Sequence, residues 1–182
     1  MMSWYKQASQ YRAYHGSPEE FQEFSYEFLG MNGTAEGYGF YFTSDKSIAD
    51  GFAKGGMVKE VYLDINNPLS FDSLTISPQE LKSFLRELDP SGTEYLSNWG
   101  EAGYDGYDNV LNSAVDGEMG GSDNDVDLIS GIINAAGGSP ESIYPVLKRV
   151  LGYDGIIVSK PSWGGSQVVY IVFDNSQIRN KI

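Results

Sequence analysis

Gln167-Val168-Val169-Tyr170-Ile171-Val172-Phe173 is the clearest strand in the chain, seven residues of which four are β-branched and two aromatic. Such residues fit a pleated, half-buried surface, and the run predicts a sheet strand. Working outward, residues 155–159 hold Ile156, Ile157 and Val158, residues 58–65 mix β-branched with aromatic side chains, and residues 40–43 are short and aromatic. The strands therefore gather at the two ends of the sequence. The stretch 73–150 between them reads as helical and glycine-rich. That pattern predicts a single α+β domain over 1–182, with 73–150 as a mainly helical insertion.

Helix starts are well marked. Ser77-Pro78-Gln79-Glu80 has the form of a capping box with proline in the first turn, and Leu81, Phe84, Leu85 and Leu88 follow at helical spacing. Ser17-Pro18-Glu19-Glu20 repeats the device ahead of Phe21, Phe24 and Phe28, and predicts a helix there too. Ser139-Pro140 opens a third, with Gly152 as its stop; Pro145 weakens a continuous helix and suggests a first turn at that point. Thr43-Ser44-Asp45 caps a short helix carrying Ile48, Ala49, Phe52 and Ala53, closed by Gly55-Gly56. Residues 112–125, with Gly117, Gly120 and Gly121 among Asp and Ser, read as a mobile loop.

Composition excludes several chemistries. The chain has no cysteine and one histidine, which removes disulfides, thiolate catalysis and multi-histidine metal sites. A net charge of −13 argues against a broad basic face for nucleic acid or anionic membrane. Asp123, Asp125 and Asp127 lack the glycine and final glutamate of a calcium loop, and a helix start at Asp123 explains them better, so no metal is expected. The first ten residues have no apolar core of signal-peptide length, and no run approaches ~18 apolar residues. A soluble protein, staying in the cytoplasm where it is made, is the expectation.

Three segments stand in an informative order: Tyr14-His15-Gly16-Ser17, then Gly39-Phe40-Tyr41-Phe42-Thr43, then Val169-Tyr170-Ile171-Val172-Phe173-Asp174. Taken singly, His15 reads as a partly buried polar residue, Tyr41 as one ring of an aromatic strand. Together they resemble the NAD-binding core of ADP-ribosyltransferases of the His-Tyr-Glu class, which includes diphtheria toxin and the poly(ADP-ribose) polymerases. Asn67-Pro68-Leu69 and the run from Tyr153 to Val158 make the chain most similar to the compact domains of phage and mobile-element polyvalent proteins. The resemblance covers about 14–71 and 152–178.

The resemblance implies a split β-sheet and NAD as co-substrate. It implies that His15 bonds the adenosine ribose, that the Gly16 backbone pairs with the nicotinamide carboxamide, and that Tyr41 stacks on the nicotinamide ring. Ser47 and Phe52 take the places of a serine and a second stacking aromatic, about one residue out of step. Trp163, in the loop before the last long strand, corresponds to a position that recognises the protein substrate; a tryptophan packed on the sheet is the alternative.

One departure matters. Where this class carries its catalytic glutamate, the chain has Val169. Gln167, two residues earlier on the same strand face, can position a hydroxyl but supplies no negative charge. The expected activity is mono-ADP-ribosylation of a protein, a host-cell protein included, with catalysis by Gln167, Tyr41 and His15. The rival is a binding module of a virion or a regulatory assembly that kept the fold and lost catalysis, and a third reading is an NAD glycohydrolase. For a phage-encoded chain the location would be host cytoplasm or virion.

Overall fold

The computed structural model describes residues 10–26, 36–159, 161 and 164–180. The chain divides into two compact units: Met1–Pro68 with Gly155–Ile182, and Leu69–Asp154. The chain leaves the first unit for the second and then returns, so the second is an insertion by connectivity.

The first unit carries the sheet. Its strands are β1 (Gln10–Ser17), β2 (Phe40–Thr43), β3 (Met57–Asp64), β4 (Pro68–Leu69), β5 (Gly155–Val158), β6 (Val169–Val172) and β7 (Ile178–Asn180), in the order β4-β5-β6-β2-β1-β3-β7. β1 is paired antiparallel with β3 along its whole length, from Gln10↔Asp64 to Ser17↔Met57. β6 lies antiparallel between β2 and β5, with Phe42↔Tyr170 and Ile157↔Tyr170 in register. Side chains alternate across the sheet. Ala13, Phe40, Phe42, Val61, Leu63, Ile65, Tyr170 and Val172 form the core on one face. Against the other face lies α1 (Lys46–Ala53), whose Asp45 cap accepts from the Ser47 backbone N–H. This is the α+β split-sheet fold expected from the sequence.

Among the described residues, no helix starts at Ser17-Pro18. Ser17 continues β1 opposite Met57, and its Oγ accepts from the Glu19 N–H at 3.2 Å, a turn in place of a cap. Phe24 instead packs on the core, its ring 5.8 Å from that of Phe40 and 5.2 Å from that of Phe42. Tertiary burial has overridden the local capping signal. Phe28 lies outside the described residues.

The second unit is helical: α2 (Pro78–Leu88), α3 (Tyr107–Gly120), α4 (Asp125–Ala135) and α5 (Pro140–Leu151). The Ser77 capping box forms as expected, with Glu80 reaching back to the Ser77 N–H at 2.9 Å. α5 starts at Pro140 and ends at a left-handed Gly152, but Ser139 makes no side-chain cap and the helix runs through Pro145. That proline is within the second turn, where its missing N–H costs only one helical bond. The expected loop over 112–125 is mostly α3. Gly117 belongs in that helix for packing reasons, since a Cβ there would fall 2.1 Å from Cζ3 of Trp99.

α4 starts at Asp125, capped by Asn124, two residues beyond the expected start. Asp125 is fully buried and accepts hydrogen bonds from the N–H groups of Ser70, Thr75 and Ile76 and from the Thr75 hydroxyl. Its oxygens thus tie a preceding loop to α4, which is the structural job of this carboxylate.

Candidate functional site

The sheet is weakest in its middle. Among the described residues, Tyr14↔Thr43 is the one register pair that joins β1 to β2. On one side stand β1, β3 and β7, on the other β2, β6, β5 and β4. Beyond that pair the ladder stops, and its place is taken by a side chain. Nδ1 of His15 lies 2.8 Å from the main-chain oxygen of Tyr41. A carbonyl oxygen only accepts, so Nδ1 carries the ring proton and Nε2 is left as an acceptor. Burial pushes the imidazole below its usual pKa, and the Lys59 charge adds to that; the bond to Tyr41 opposes it in part. His15 is therefore neutral at pH 7, a ring that accepts a hydroxyl proton at Nε2.

The imidazole is walled by aromatic edges. Phe21 and Phe24 meet it at 5.6 and 5.1 Å, nearly perpendicular, and Phe42 lies at 5.6 Å. The spacing of Phe21 and Phe24 in the sequence predicts one face of a helix. Their role as a cover for His15 carries no local sequence signal, because it depends on the chain turning back at Pro18.

Tyr41 alternates with Phe42 along β2, so its side chain leaves the face opposite to the His15 ring. Its hydroxyl donates to the Gly37 carbonyl at 2.5 Å and accepts from the Glu36 N–H at 3.2 Å. Burial pushes the phenol up to about 12 and keeps it protonated. Glu36 is itself fully buried beside this ring, a place that no local motif marks.

Gly16 shares the Tyr41 face. A Cβ on Gly16 would lie 1.9 Å from the Ala49 carbonyl oxygen and 2.9 Å from the Ala53 nitrogen. Only glycine lets α1 rest this close to β1. Ser47, on α1, is exposed and donates its hydroxyl to Asp45 at 2.7 Å, so it reinforces the helix cap. Phe52, on the same helix, is half exposed, one of two large hydrophobic residues so placed among those described.

Val169 is buried in a cross-strand row with Val158, Thr43 and Tyr14; the row continues to Glu60 on β3, whose carboxylate is paired with Arg12. Gln167 is buried just before β6. Its Nε2 donates to the Gly164 carbonyl at 3.0 Å, and its Oε1 fills the space where Gly165 lacks a Cβ. The amide is thus engaged with the turn that precedes the strand. Trp163 lies outside the described residues. Among those described, no cluster of three or more His, Cys, Asp or Glu side chains is placed to hold a metal, and no helix is long and apolar enough to cross a membrane.

A split sheet, a histidine spanning the split and an aromatic strand beside it define an ADP-ribosyltransferase fold. The family model described as ADP-ribosyltransferase in polyvalent proteins matches residues 7–182, and the chain belongs to that family. No match was found among curated proteins or among solved structures.

Proposed function

We propose that the protein transfers a single ADP-ribose from NAD to a protein side chain and releases nicotinamide. The observation that carries this reading is the His15–Tyr41 bridge, with the two side chains on opposite faces of the sheet at the point where β1 and β2 part. A dinucleotide has two ends to place. Nε2 of His15, an acceptor on one face, suits a ribose hydroxyl of the adenosine half. The Tyr41 ring, on the other face, suits the flat, cationic nicotinamide, and the backbone edge of Gly16, past the one β1–β2 pair, suits its carboxamide.

In the transfer, the bond between the nicotinamide nitrogen and the ribose breaks, and its electron pair leaves with nicotinamide. The acceptor side chain forms the new bond to the ribose carbon and gives up its proton to solvent. With Val169 in place of an acid, positioning by His15 and Tyr41 supplies the rate gain, and the acceptor contributes its own nucleophilicity. Gln167 holds the turn at Gly164 and so shapes the acceptor side of the site. Partners under this reading are NAD and a protein, with a host-cell target in scope for a phage-encoded chain.

The test is incubation with labelled NAD and host lysate. Label on a protein band together with faster nicotinamide release supports transfer; release with no labelled protein indicates a glycohydrolase instead. One observation favours a second reading, a binding module without catalysis: Val169 is buried and the Gln167 amide is already bonded. Neither label nor release, from a protein that still binds NAD, would support that module.

A further inference from the structure

Lys59 stands directly across the β1–β3 ladder from His15, on the same face of the sheet. Its ammonium donates to the Gln22 carbonyl at 3.0 Å and lies 4.1 and 5.6 Å from the centres of the Phe21 and Phe24 rings. Phe21 in turn packs edge-on against the His15 imidazole. The three side chains thus form one group.

The half-buried charge of Lys59 is fixed without a counter-charge, whereas Lys54, the other described lysine of this unit outside an ion pair, is exposed. In the same unit Arg12 pairs with Glu60, Lys46 with Asp50 and Arg179 with Asp64. Among the described residues Lys59 meets no carboxylate, in a chain whose net charge is −13. Its closeness to the imidazole is felt electrostatically, because it helps hold the ring neutral. An acidic protein that takes up a doubly charged diphosphate needs a cation at the site to offset its own repulsion. A backbone carbonyl and an aromatic face fix the ammonium without cancelling its charge, and one or more N–H groups remain for a further acceptor.

We propose that Lys59 receives the diphosphate of the dinucleotide, next to the ribose hydroxyl that His15 accepts; this rests on the NAD reading above. The site then has a neutral acceptor and a cationic donor side by side, matched to a ribose followed by a phosphate.

The test is calorimetric titration of NAD, and of adenosine as an uncharged probe, into wild type, Lys59→Met and Lys59→Arg at low and high salt. Lys59→Met should weaken NAD by about tenfold and flatten its salt dependence, while leaving adenosine unchanged. Lys59→Arg should keep NAD affinity. In Lys59→Met the His15 ring resonance should also titrate at higher pH than in wild type. If Lys59→Met binds NAD as wild type does, or loses adenosine in equal measure, the proposal is overturned while the NAD reading stands. If wild type itself binds no NAD, the NAD reading fails first and the role of Lys59 with it.

Discussion

The imidazole of His15 donates from Nδ1 to the main-chain oxygen of Tyr41 at 2.8 Å, and so takes over from the β1–β2 ladder where it stops. One side chain therefore closes the middle of the sheet and presents an acceptor to a ligand. Under the proposed function, stability and binding are coupled through this residue.

His15→Ala should cost about 1–2 kcal/mol in urea unfolding, because the Tyr41 carbonyl loses its partner in a half-buried place. His15→Gln, which can still donate to that oxygen, should recover part of the loss.

Acid should destabilise the fold through the same ring. The folded imidazole pKa is depressed below 6.5, so just below that value the unfolded chain takes up a proton that the folded chain refuses. This contribution is full above pH 6.5 and is lost as pH falls through the folded value. The chain has one histidine, so its ring resonances titrate without overlap. Urea midpoints of wild type and His15→Gln, measured from about pH 7.5 to 5, should converge on acidification. Curves that stay parallel would argue that the ring is not held neutral.

Gly16→Ala should be severely destabilising, on the order of 3 kcal/mol, since the new methyl falls inside the Ala49 carbonyl of α1. Thermal unfolding reads this directly. A variant as stable as wild type would mean that α1 is free to move away from β1.

For Tyr41, ring and hydroxyl separate cleanly. Tyr41→Phe loses the bonds to Gly37 and Glu36 and should cost about 1 kcal/mol of stability, with NAD affinity little changed. Tyr41→Ala should lose NAD binding as well. Equal affinity in Phe and Ala variants, by calorimetry, would remove the stacking role.

Asp125→Ala should unfold the helical unit more readily, by about 3 kcal/mol or more, because four donors lose one buried acceptor. Hydrogen exchange at Ser70, Thr75 and Ile76 would locate the effect. Unchanged protection at those amides would contradict it.

Much of the fold was legible because local signals agreed with the packing. β2 spans the expected residues, and β3 and β5 fall within a residue of theirs, because β-branched and aromatic runs had a sheet to join. α2 was legible because Ser77 and Glu80 satisfy each other without help from the rest of the chain. Ser17-Pro18 carries the same local signal and forms no helix, since Phe21 and Phe24 pack on each other, on His15 and on the core without one. The glycines of α3 looked like a loop because the Trp99 ring that requires Gly117 is distant in sequence. At the site, His15, Gly16 and Tyr41 stood out by motif. Lys59 did not, for its place beside His15 follows only from the β1–β3 register.

The proposed function requires NAD to be held at the His15–Tyr41 junction. Calorimetric titration of NAD into wild type and into His15→Ala addresses that most directly. Wild type should bind NAD in the sub-millimolar range, and a folded His15→Ala should not bind it. Heat absent from a folded wild type over a range of temperatures, or the same affinity in both proteins, would contradict it.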